Sequence, residues 1–157
     1  MGLINRPMYL VDLVTLEELQ IMAVPPELSH NNESNFSVVA SPGRNNPFSH
    51  FSGSDDILEF ELDWYSLEQG RLDVMMKCRW VESLSKADGY EDGPHLIKLI
   101  FGDIYPPELT WQVVSAPFKF TMFDGSQQMR PVQAYQTIRL RKQVDFNRRY
   151  IHIRNGY

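Results

Sequence analysis

The sequence predicts a mainly β fold (α+β): an antiparallel β-sandwich or partly open barrel with one covering α-helix. Three observations predict it. Residues 57–64, "ILEFELDW", alternate strictly, with Leu58, Phe60, Leu62 and Trp64 on one side and Ile57, Glu59, Glu61 and Asp63 on the other. Residues 131–142, "PVQAYQTIRLRK", repeat that period, with Val132, Ala134, Ile138 and Leu140 inward and Gln136 interrupting the pattern. Only one stretch, about Arg71 to Ser85, changes to a three-to-four residue spacing, through Leu72, Met75 or Met76, Trp80 and Leu84.

The elements follow in order. Residues 8–24, "MYLVDLVTLEELQIMAV", fit either a helix opened by a Thr15–Glu18 capping box or two short strands with a turn. Their β-branched content favours the strands. The prolines of "VPPEL" end that segment, because neither a ladder nor a helix continues through two of them. Residues 29–54 are polar. Within them "FSVVA", Phe36 to Ala40, reads as an edge strand, and residues 41–55 read as a long exposed loop. In that reading Asp55 and Asp56 cap the loop and start the next strand. After the helix, "KADGYEDGP" is a turn, and "HLIKLIFG", His95 to Gly102, is a strand buried on both sides. "LTWQVVSAPFKFTMF" puts Val114, Ala116, Phe118, Phe120 and Met122 on one face. "DGSQQM" closes a hairpin. The sum is five or six strands, divided into a body, residues 1–142, and a C-terminal arm, residues 143–157.

The 157 residues suit one domain with its own core. At 43% hydrophobic and 22% charged, the composition is globular rather than disordered. A single cysteine, Cys78, excludes an intramolecular disulfide framework and fits a reducing compartment. The sequence offers neither a signal-peptide run nor an apolar window of transmembrane length, so no membrane partner is expected. The net charge of −5 is unevenly spread. Residues 139–157 hold six basic residues and one acid, a balance of +5, while the remaining 138 hold nine basic and nineteen acidic residues, a balance of −10. That asymmetry suits head-to-tail packing of like subunits, or an arm reaching an acidic neighbour. It argues against nucleic acid, which the acidic body repels.

Motifs for chemistry are scarce. The four histidines, at 30, 50, 95 and 152, have no zinc-ligand spacing, so no metal or cofactor is expected. His50, Ser54 and Asp55 lie close in sequence but lack a nucleophile elbow. "DGYEDG" lacks the ligand order of an EF-hand. Cys78 lies mid-helix between Lys77 and Arg79, which could lower its pKa, but helix filler is the simpler reading. Glu59, Glu61 and Asp63 share a strand face with no base, ligand set or nucleophile beside them. Three such similar carboxylates do not divide acid and base roles unaided. A solvated or partner-facing strand, and a non-enzymatic protein, is the expectation.

The order of the motifs carries more than any one of them. "VPPEL" is followed by "SPGRNNPFSHFSGSDD", "ILEFELDW", "CRWVESLS", "GPHLIKLIFGDIYPP" and "APFKFTMFDGSQQMRPVQAYQTIRLRK". This order resembles the LysM-associated baseplate (tube-type) proteins of contractile phage tails and related injection systems. The matching pieces are Pro25 to Leu28, Pro42 and Gly43, Leu58 to Asp63, Phe101 to Asp103, and Met122 to Arg130, within residues 18–142. "DGSQQMRP" departs from the usual hairpin turn. The LysM domain that often follows is not among these residues, so peptidoglycan binding is not carried over. The resemblance implies a structural baseplate adaptor in the virion, assembled in the host cytoplasm. It would be present in several copies, as a hexamer, around the tail axis, and would join tube or hub to sheath-initiator and wedge proteins. The expected partner-binding residues are Phe48 and Phe51 in the loop, Phe146, Arg148, Arg149 and Tyr150 in the arm, and Glu59, Glu61 and Asp63 on the strand. Two alternatives stand beside it: a tail tube or tube-terminator ring protein, and a small hydrolase or carbohydrate-binding domain using the three carboxylates.

Overall fold

The computed structural model describes residues 8–21, 23–40, 42–43, 45, 48–66, 73–87, 93–106, 108–125 and 127–143. In chain order these form β1 (Met8–Asp12), β2 (Glu18–Ile21), β3 (Ser29–Val39), β4 (Phe48–Tyr65), α1 (Asp73–Ser83), β5 (Leu96–Phe101), β6 (Thr110–Ser115), β7 (Phe118–Phe123) and β8 (Pro131–Gln143). The eight strands make one antiparallel sheet in the order β2-β1-β5-β6-β8-β4-β3, with β7 also pairing β8. The mainly β class, with one helix among the described residues, is as the sequence predicts.

β8 is the hub. One of its edges pairs β4 from Ile57↔Arg141 to Tyr65↔Gln133. Its other edge is shared between β6 and β7, which meet at a corner at Ala116 and Pro117. Proline cannot donate to the ladder, so the strand breaks there; the Thr137 N–H donates to the Pro117 carbonyl at 3.1 Å and bridges the gap. The inward stripe of β4, Leu58, Phe60, Leu62 and Trp64, meets Ala134, Ile138 and Leu140 of β8 in a buried core. The helix seats Val74, Cys78 and Val81 on it. That i, i+4, i+7 stripe replaces the expected Leu72–Met75/76–Trp80–Leu84 face: Leu72 lies outside the described residues and Met76 is exposed, while Leu84 is buried just past the helix. Trp80 reaches sideways, its Nε1 donating to Glu17 at 3.1 Å.

At the N-terminus the two-strand reading holds. Asp12, buried, ends β1 and accepts the Val14 N–H at 2.8 Å, the Thr15 N–H at 3.4 Å and His95 Nδ1 at 2.8 Å. An Asp carboxylate satisfying its own turn is what this position selects.

Three further expectations are corrected. Residues 48–55 are not loop; they are the first half of β4, paired with β3 from Ser29↔Glu59 out to Val39↔Phe48. Asp55 and Asp56 accordingly sit inside a strand rather than at its start. No alternation marked this hairpin because every residue of β3 is exposed: with both faces wet, neither selects apolar residues. Second, Val114 and Met122 are exposed, and the buried residues of β6 are Trp111 and Val113, because the corner at Pro117 shifts the face between the two strands. Third, β5 buries only Ile97 and Leu99 fully, so it alternates instead of being covered on both sides.

Candidate assembly surface: the projecting hairpin

The β4–β8 ladder ends at Ile57↔Arg141, but β4 runs nine residues further toward its start, paired among the described residues with β3 alone. Residues 31–39 and 48–56 thus form a ribbon roughly 30 Å long, at about 3.3 Å per residue, with no third strand among the described residues. A bulge kinks it: Asn35 faces Gly53 and Phe36 faces Phe51, leaving Ser52 unpaired in the ladder. Gly53 has φ +134°, a conformation open to glycine, and the Ser52 hydroxyl donates to the Asn35 carbonyl at 3.0 Å. Beyond the bulge the Phe36 and Phe51 rings pack edge-on, centroids 5.6 Å apart, yet are 61% and 54% exposed. Val38 lies on the same ribbon face as Phe36 and is also exposed.

At the ribbon's root the chemistry changes to charge. Lys142 Nζ lies 2.5 Å from Asp56 and Arg141 Nη2 lies 2.6 Å from Asp55. Asn32 also donates to Asp56. The Tyr105 hydroxyl sits 3.4 Å from His30 Nδ1, and its ring packs edge-on against Trp111 at 5.4 Å. Burial alone would raise the Asp56 pKa, but the hydrogen bond and charge of Lys142, with His30 and Asn32 behind them, hold it below the ordinary carboxylate value.

Glu59, Glu61 and Asp63 point outward from β4, as expected, and are exposed. With Glu27, Pro25 and Tyr135 they line an open groove of about 600 Å³, where the chain linking β2 to β3 passes over the sheet. Asp63 accepts from Gln133 Nε2 at 3.0 Å. Alternate residues on one strand face lie ~7 Å apart, so the three form a row, not a convergent cluster. Among the described residues no group of three or more His, Cys, Asp or Glu could hold a metal ion, and no helix is long and apolar enough to cross a membrane.

Of the other expected partner-binding residues, Phe51 stands on the exposed ribbon face and Phe48 opens β4 opposite Val39. Phe146, Arg148, Arg149 and Tyr150, with the arm that holds them, lie outside the described residues. Phe36 was missed as a contact residue. Its register opposite Phe51 exists only once the hairpin is paired, and nothing local signals it.

No protein-family model matches the sequence, and no curated protein does. Among solved structures the chain is similar to one in the anti-feeding prophage (AFP) baseplate, determined by cryo-EM and 6-fold symmetrised, with 15% identity over 91% of this chain and 92% of that one and a TM-score of 0.42. It is similar too to a chain in the virion of a native gene transfer agent (GTA) particle, with 10% identity over 90% of this chain and 95% of that one and a TM-score of 0.42.

Proposed function

We propose that the chain is a non-enzymatic structural subunit of a phage-type tail. In this reading it is a baseplate adaptor that joins tube or hub to surrounding sheath-initiator and wedge proteins, in several copies around the tail axis. The observation that carries the reading is the ribbon of residues 31–39 and 48–56. A two-stranded ribbon with no buried face is marginal in water, so its stability comes from what it meets. Its exposed Phe36–Phe51 pair supplies the aromatic anchor that protein interfaces concentrate their binding energy on. The motif order supports the same reading. The arm, residues 143–157, brings Arg148 and Arg149 flanked by Phe146 and Tyr150, and the row Glu59, Glu61 and Asp63 offers a complementary acidic strip to a basic partner.

A second reading, a ring protein of the tube or its terminator, is favoured by one observation. β3 is an edge strand of eleven residues without proline or lysine and with one charge, Glu33. Unguarded edges of that length invite a neighbouring strand. The opposite edge, β2, has only four residues and carries Glu18.

The test is assembly. Phe36→Ser with Phe51→Ser, and separately removal of residues 143–157, are introduced into the tail-forming system. Both variants stay folded and fail to enter particles. Normal incorporation of both would contradict the adaptor role. Strand-to-strand cross-links between copies along β3 would select the ring.

A further inference from the structure

The root of the hairpin is a fork. At Ile57↔Arg141 the ladder between β4 and β8 stops, and the two strands part: β4 continues with β3, through Asn32↔Asp56, and β8 continues with β6, through Trp111↔Lys142. The next position in the β4–β8 register would oppose Asp56 to Lys142. No backbone pair is made there; the side chains bond instead, Lys142 Nζ to Asp56 at 2.5 Å, with the diagonal pair Arg141–Asp55 at 2.6 Å beside it. The lysine side chain is 8% exposed and lies over the Trp111 ring, 5.8 Å from its centroid. Behind Asp56, the Asn32 amide ties in β3. On the far side Tyr105 closes the circuit, touching both His30 of β3 and Trp111 of β6. One polar chain, Asn32–Asp56–Lys142–Trp111, therefore crosses all four strands where the backbone ladder has let go.

We propose that this fork is a lock on the direction of the hairpin. While Asp55 and Asp56 hold Arg141 and Lys142, the ribbon leaves the body at one angle; when those pairs are broken it swings about Ile57. A short, poorly exposed ion pair with further hydrogen bonds around it is worth more as a geometric restraint than a solvated one. A pre-aimed ribbon also has less orientational freedom to lose on docking. The lock stands on the fork's geometry, independently of the assembly role, and is read by a different measurement.

Spin labels at Asn45→Cys and Lys86→Cys, both exposed, report the distance from ribbon tip to body; Cys78 is buried and stays unlabelled. The parent gives the narrowest distance distribution of the set. Asp55→Asn with Asp56→Asn broadens it. Asp56→Lys alone also broadens it, and adding Lys142→Asp narrows it again, a rescue that a merely structural role would not give. An unchanged width on neutralising both carboxylates, or a folded swapped pair that stays broad, overturns the lock. If the swapped pair does not fold, Lys142→Met decides, since it opens the poorly exposed pair while keeping an unbranched side chain over Trp111: broadening supports the lock and an unchanged width overturns it.

Discussion

Trp64 Nε1 donates to Gln136 Oε1 at 3.0 Å in the middle of the core, and the Gln136 amide in turn donates to the carbonyls of Cys78 at 3.1 Å and Ala116 at 3.2 Å. One fully buried side chain thus joins β8 to β4, to the helix and to the β6–β7 corner. The corner explains the need. Pro117 interrupts the ladder, so the Ala116 carbonyl depends on a side-chain donor, and a buried acceptor left unpaired is expensive. Gln136→Leu is expected to lower unfolding stability by about 2–3 kcal/mol, chiefly by stranding Trp64 Nε1 and the Ala116 carbonyl. Urea denaturation with an unchanged m-value checks it. A neutral result would mean that the network is not formed.

Cys78 is fully buried, and burial pushes its thiol pKa up to about 11. Its cationic neighbours in sequence do not make it reactive. In the native protein at pH 8 a thiol reagent should leave Cys78 untouched, with labelling appearing only on unfolding. Rapid labelling of the native protein would show that α1 does not seat on the sheet.

Acid should weaken the fold at two places. Asp12 and Asp56 both have pKa values held below the ordinary carboxylate value of 3.8; in each, burial pushes upward and is outweighed, by the His95 and backbone hydrogen bonds at Asp12 and by Lys142 at Asp56. A carboxyl whose pKa is depressed on folding stabilises the protein above its unfolded pKa, and that stability is lost as pH falls through the folded value. Stability should therefore be flat in these two groups above about pH 5, near the top of the unfolded carboxyl titration, and fall below pH 4. Asp12→Asn should lower stability at pH 7 and reduce the acid sensitivity. Thermal unfolding of the two proteins from pH 3 to 7 measures both. Equal slopes below pH 4 would contradict the assignment.

The strands that line the core were legible in the sequence because one face of each is dry. Ile57 to Trp64 and Ala134 to Leu140 alternate for that reason. Gln136 broke its pattern visibly, but its three partners come from elements far apart in sequence, so the break could be seen and not explained. The helix was placed correctly and its face was not: Trp80 and the methionines are larger than Val74, Cys78 and Val81 and obscured the stripe that is buried. Half of the hairpin was legible: Phe36 to Ala40 reads as an edge strand, and β3 is the edge of the sheet, but its length and its partner strand did not show. Its residues are selected neither for a core nor for alternation, and polar Ser- and Asn-rich segments read as loop whether or not they pair. The candidate surface was found only in part for the same reason: Phe51 stood out as an aromatic in a polar stretch, but with residues 41–55 read as loop nothing set Phe36 of the edge strand opposite it.

The exposed ribbon pair should separate folding from assembly. Phe36→Ser with Phe51→Ser removes rings that are more than half exposed, so stability should change by no more than about 0.5 kcal/mol. A larger loss would mean that the rings belong to the fold, and an assembly defect in that variant would lose its meaning.

Hydrogen exchange, compared between the isolated chain and particles containing it, tests the central claim most directly. The account predicts that residues 31–39 and 48–56 exchange rapidly alone, while the β4–β8 ladder from Ile57 to Tyr65 is protected, and that the ribbon becomes slow to exchange in the particle. Equal protection of the ribbon in both states would contradict it, and would return attention to the groove beside Glu59, Glu61 and Asp63.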